Sequence, residues 1–205
     1  MQIKVTCKMI INTFHGSLDK SITSFHIATH FGSRKQALSA IGAKYFLDRV
    51  ESGIPTLYEV IISVEDTFLH KIELDWGKSG VRGALVGIKK VLEKEAPEDA
   101  ANTALRFNKH FGIINKIAND KEAAAMSEEI LLREAEGKLA VLEYPNEVEA
   151  DGSGYCVLDP SRITLIATTY PDWDEVLEGF KAHSEYCNVK DRVEVFKSTL
   201  KTKSA

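Results

Sequence analysis

The chain holds little of what staples, breaks or membrane-anchors a fold. Its 205 residues include three cysteines, five prolines and two tryptophans. Cys7, Cys156 and Cys187 are odd in number and show no metal-type spacing, which argues against a disulfide framework and against a metal site and points to a reducing compartment. Cys7 and Cys156 are expected to fill strand positions as small apolar residues. No apolar run approaches the roughly 20 residues of a membrane span, and the N-terminus alternates instead of forming a signal-peptide core. A cytoplasmic protein with no membrane partner is the expectation. A basic excess is missing too: 26 Lys and Arg face 30 Asp and Glu, net charge −4. That argues against a generally basic nucleic-acid binder and leaves local patches open.

What is present is an ordinary globular composition, 44% hydrophobic and 27% charged, enough for one domain with a sizeable core. Ile3, Val5, Cys7 and Met9 alternate with polar residues, a strand pattern running on towards Phe14. Ser33 is the expected N-cap of a helix reaching about Val50, with Leu38, Ile41 and Tyr45 on one face. Leu57 to Val64 reads as a buried strand. From about Gly77 to Gly137 the pattern is helical: a Leu85/Ile88/Leu92 stripe ended by Pro97, then Ala104 to Ile117 and Ala123 to Ala135. Strand character returns at Leu139 to Tyr144, Tyr155 to Leu158 and Ile163 to Thr168, and Pro171-Asp172 opens a helix. The expected class is α+β: one domain over 1–205, with a helical insertion at about 78–136 and a C-terminal helical extension at about 171–205.

Three segments carry chemistry. Phe14-His15-Gly16-Ser17 places an imidazole beside a glycine, suited to a ribose hydroxyl and a planar amide, or to a turn and nothing more. His30-Phe31-Gly32-Ser33 offers aromatic faces for a flat heterocycle, or a strand end capping a helix. Asn146 to Gly152 puts Glu147, Glu149 and Asp151 between two expected strands; that is a solvated acidic loop, or one that presents a carboxylate into a cleft. Asp75-Trp76 ranks lower, with Trp76 at a cleft or in the core. His70, His110 and His183 stand alone, as surface or satisfied histidines do.

The order of these segments, followed by Tyr144-Pro145-Asn146-Glu147-Val148-Glu149 and by Tyr155-Cys156-Val157-Leu158-Asp159-Pro160-Ser161-Arg162-Ile163, resembles an ADP-ribosyltransferase-like domain. It is most similar to small bacterial and phage members, toxin-type and anti-CRISPR transferases among them. The resemblance covers roughly 10–65 and 135–168; it departs at Gly154, where Ser is common, and at Arg162, where Gln is usual. It implies a split antiparallel β-sheet fold with NAD as substrate and no metal. His15, Gly16, Ser17, His30, Phe31, Gly32 and Ser33 would hold NAD, with Phe31 or His30 stacking on nicotinamide where relatives often carry Tyr. Glu149 would be the catalytic acid and Glu147 the second choice. The implied activity is transfer of ADP-ribose to a protein or nucleic-acid acceptor, in a toxin, antiphage-defence or phage-effector setting. An antitoxin or regulatory partner would bind at the helical middle. The alternatives are NAD hydrolysis and a catalytically silent NAD-binding module.

Overall fold

A computed structural model of the protein describes residues 7–50, 52–73 and 80–203. Ile3, Val5, Asp75 and Trp76 lie outside the described residues. Strand β1 (Lys8–Ser17) pairs antiparallel with β3 (Thr56–Glu65), which pairs with β7 (Ile163–Thr169). A second sheet has the order β2 (Thr29–Phe31), β6 (Ser153–Val157), β5 (Val141–Pro145), β4 (Leu69–Lys71). The class is α+β, as expected. The second sheet is mixed and not antiparallel throughout, because β4 and β5 run parallel. Parallel neighbours need a long crossover, and three helices supply it: α2 (Val81–Glu95), α3 (Ala100–Ile114) and α4 (Asp120–Ala135).

The two sheets meet at a narrow seam. Phe14 and Gly32 exchange backbone hydrogen bonds of 2.8 and 2.9 Å, and the Thr13 hydroxyl donates to the Gly32 carbonyl at 2.7 Å. Between the sheets, alternate residues of β3 (Tyr58, Val60, Ile62 and Val64) pack with Phe31, Val141 and Val157. This is the period-two burial expected of a strand with a core on one face. On the far side of the first sheet lies α1 (Arg34–Phe46), whose Ala37, Leu38 and Ile41 pack with Leu57 and Val176. Val176 belongs to α5 (Trp173–Phe180), opened by the Asp172 side chain accepting from the Glu175 amide at 2.9 Å. Phe180 of α5 also packs with Phe46 and with Val193 of α6 (Lys190–Lys203). The helical insertion covers the other face of the second sheet: Leu85, Ile88, Phe107 and Leu131 share a core with Leu142 and Cys156.

Several boundaries differ from the sequence reading. Helix α1 stops at Phe46, short of Val50, because the Leu47 and Asp48 amides both turn back to the Ala43 carbonyl and Arg49 adopts a left-handed φ of 58°. Helix α3 begins at Ala100 and ends at Ile114, since Pro97-Glu98-Asp99 form a 3₁₀ turn that leads directly into it. Strand β4 is three residues long, too short to show a period in sequence. Cys156 is buried on β6 as expected, whereas Cys7 is exposed just before β1.

Helix α1 crosses β1 so closely that a Cβ on Gly16 would fall inside van der Waals distance of the Ala37 carbonyl. Backbone cannot yield there as a flexible side chain can, so Gly16→Ala is expected to destabilise the fold by about 1–3 kcal/mol, the usual cost of overpacking. Urea denaturation measures it, and an unchanged midpoint would contradict the close crossing.

Candidate functional site

A cavity of about 470 Å³ opens at the seam. Its walls are the end of β1 (Phe14, His15, Gly16), the strand β2 with Gly32, the Ala37/Ala40/Ala43/Lys44 stripe of α1, and the loop after β5 carrying Asn146, Val148 and Glu149. The stripe follows from helical spacing: positions three and four apart lie on one face, and alanine there leaves room beside β1. Of the residues singled out from the sequence, His15, Gly16, His30, Phe31, Gly32 and Glu149 line this cavity. Ser17 is buried, its hydroxyl accepting from the Asp19 amide at 3.1 Å, and it lines a neighbouring cavity of about 420 Å³. Ser33 is exposed and serves as the N-cap of α1. Glu147 is exposed and lines neither cavity.

The His15 ring has a fixed tautomer. Its Nδ1–H donates to the His30 carbonyl at 2.9 Å, leaving Nε2 as an acceptor. Burial, and then the nearby Lys44 ammonium, hold its pKa down at about 4, so the ring is neutral at physiological pH. Phe25, Phe31 and Tyr58 surround it with ring centroids 5.6, 5.7 and 6.3 Å away. His30 is tied at both nitrogens: the Gly80 amide donates to Nε2 at 3.3 Å, and Nδ1 lies 2.7 Å from the Tyr144 hydroxyl. Phe31 is 3% exposed and packs in the intersheet core, whereas His30 is half-buried; both line the cavity.

Glu149 is carried by a braced loop. The Asn146 side chain, 4% exposed, donates to the Glu149 carboxylate and accepts from the Glu149 amide at 3.2 Å. Gln36 completes a capping box with Ser33 and donates its amide to the Ala150 carbonyl at 2.9 Å. Behind the loop, the Ser184 amide donates to the Val148 carbonyl at 2.8 Å, so the segment after α5 holds it as well. The carboxylate therefore sits on a bracket fastened to α1 and to the C-terminal extension.

Lys44, Asp48, Tyr144, Asn146 and His183 also line the cavity, none of them assigned a role by the sequence reading. The Lys44 ammonium donates to the Gly16 carbonyl at 3.0 Å. Burial lowers its pKa, opposed by the charges of Asp48 and Glu149. The signal for Lys44 was its place on the alanine stripe, seven residues after Ala37, where a lysine faces whatever those alanines face. For His183 no local signal existed; it is buried by the turn after α5, and its Nδ1 accepts from the Glu185 amide at 3.1 Å.

Comparison with family models, curated proteins and solved structures finds no match. Among the described residues no group of three or more His, Cys, Asp or Glu is gathered as for a metal ion, and no helix is long and apolar enough to cross a membrane.

The lowered His15 pKa has a sign that can be tested. Between about 4 and the ordinary 6.5 the unfolded chain binds a proton that the folded chain does not. Stability from this group is thus complete above pH 6.5 and is lost as pH falls towards 4, by about 3 kcal/mol in all. An NMR titration is expected to show a neutral His15 with its proton on Nδ1 at pH 6. A midpoint near 6.5 would contradict the part-buried, donor-locked ring.

Proposed function

We propose that the chain is an NAD-dependent mono-ADP-ribosyltransferase that transfers ADP-ribose to a macromolecular acceptor, protein or nucleic acid, and releases nicotinamide. The supporting observation is that His15, Gly16, His30 and Glu149, spread over more than half the chain, line one cavity at the seam between two sheets. Two sheets joined at a seam, with a helix along the first, also suit the split-sheet architecture of ADP-ribosyltransferase-like domains.

The chemistry demands little apparatus. The acceptor's nucleophile forms a bond to the ribose anomeric carbon, the bond to the nicotinamide nitrogen breaks, and its electron pair leaves with nicotinamide, while the acceptor gives up a proton. Positive charge grows on the ribose as the glycosidic bond stretches. In this reading Glu149 faces that charge and hydrogen-bonds a ribose hydroxyl, the preorganised electrostatic effect that tends to dominate such reactions. In the same reading it takes the acceptor's proton. His15 Nε2, held as an acceptor by the Nδ1 hydrogen bond, receives a hydrogen bond from the second ribose hydroxyl. His30, the more accessible ring, stacks on nicotinamide, and the Gly16 backbone meets its carboxamide. The pyridinium of NAD is cationic, and the cavity offers it Glu149 and Asp48.

A defence, toxin or phage-effector role inside the cytoplasm fits such an activity. The helical insertion, which exposes Leu105, Ile113 and Leu132, is where target or antitoxin recognition belongs.

With radiolabelled NAD and a cell lysate, Glu149→Gln is expected to lower label transfer by about 10²–10³-fold, and Glu147→Gln by less than about threefold. Protease against nuclease treatment then tells which acceptor carries the label. Unimpaired transfer by the Glu149 variant would overturn the assignment.

A further inference from the structure

The cavity at the seam and its 420 Å³ neighbour share three residues, His15, Thr29 and Lys44, and so adjoin there. The neighbour is walled by the segment joining β1 to β2, and its lining is hydroxyl-rich (Ser17, Ser21, Thr23, Ser24) with Phe25 and His26 as rings. Among the described residues, Lys44 is the one lysine or arginine lining either space. The carboxylates are three: Asp48 and Glu149 in the first cavity and Asp19 in the second. A ligand spanning both spaces with an anionic middle would meet repulsion from both sides unless Lys44 lay at that middle.

We propose that Lys44 is the anchor for the pyrophosphate of the dinucleotide, with nicotinamide ribose in the cavity beside Glu149 and adenosine in the hydroxyl-rich cavity beside Phe25. This rests on the NAD reading of the site and adds the direction in which the dinucleotide lies. The geometry carries it: the α1 backbone and the 3.0 Å hydrogen bond to the Gly16 carbonyl hold the ammonium at the junction. An ammonium has three donors, and Gly16 takes one. Its surroundings make an arriving anion welcome. Burial disfavours the charged form of Lys44; the charges of Asp48 and Glu149 oppose that effect, and a phosphate in contact would oppose it further.

The test is binding by calorimetry of NAD, nicotinamide mononucleotide and nicotinamide riboside to the whole chain and to Lys44→Met, with Lys44→Arg as a second variant that keeps the charge. Thermal melting confirms that each variant is folded. The wild-type chain is expected to bind the mononucleotide about 10- to 100-fold more tightly than the riboside, the usual worth of a charged hydrogen bond. Lys44→Met should erase that ratio while riboside affinity stays within about threefold, and Lys44→Arg should keep part of it. A merely structural lysine would weaken all three ligands alike. Discrimination that survives in Lys44→Met, or is missing in the wild-type chain, overturns the anchor and leaves the NAD reading standing. A wild-type chain that binds none of the three overturns the NAD reading and the anchor with it.

Discussion

Two backbone hydrogen bonds between Phe14 and Gly32 join the two sheets, and the functional geometry depends on that seam. It brings the end of β1 beside the end of β2, so the His15 imidazole reaches the His30 carbonyl. The same bond sets the tautomer of His15 and with it which ring nitrogen is left as an acceptor. The seam also begins α1: Gly32 leads into the Ser33 cap, and the Ser33/Gln36 box continues into the Ala150 carbonyl of the loop bearing Glu149. Acceptor and carboxylate are thus positioned by a connected set of hydrogen bonds.

The same chain of contacts explains why the small residues fall where they do. Gly16 lets α1 lie against β1, and Gly42 and Gly179 let α1 and α5 approach, with a Cβ on Gly179 meeting Leu38 at 2.5 Å. Close crossing of helix and strand leaves the alanine stripe facing the cavity instead of filling it. Lys44 is then drawn into a partly desolvated place, where the Gly16 carbonyl and the charges of Asp48 and Glu149 offset part of the cost of burial. Its place where the two cavities adjoin, as the one lysine or arginine lining either of them among the described residues, is the physical reason to assign Lys44 a ligand.

Much of this was legible in the sequence, and the reasons it was or was not are local. Strand β3 announced itself through β-branched residues and shows period-two burial. Strand β1 itself is not buried with that period, and the alternation that marked it falls on Ile3 and Val5, outside the described residues, and on the exposed Cys7 and Met9. Helix α1 was marked by Ser33 as its cap and α5 by Pro171-Asp172. The short strand β4 carried no period, and its parallel pairing with β5 is decided by a three-helix crossover that no local window contains. In the site, Glu149 and Glu147 are chemically equivalent in sequence. What separates them is the Asn146 bracket and the turn that leaves Glu147 exposed. Phe31 and His30 were likewise a matched pair until β2 took its place, with Phe31 turned to the intersheet core and His30 tied to Tyr144 and Gly80. His183 arrives through the packing of the C-terminal extension, information held in long-range contacts alone.

The central claim is that the locked His15 ring and the braced Glu149 carboxylate bracket one NAD nicotinamide ribose. Nitrogen-15 NMR of the histidine-labelled chain during titration with NAD tests it directly. The account predicts that the His15 Nε2 resonance moves saturably as it takes up a hydrogen bond, while its Nδ1 stays protonated. A His15 Nε2 signal unmoved by saturating NAD would contradict it.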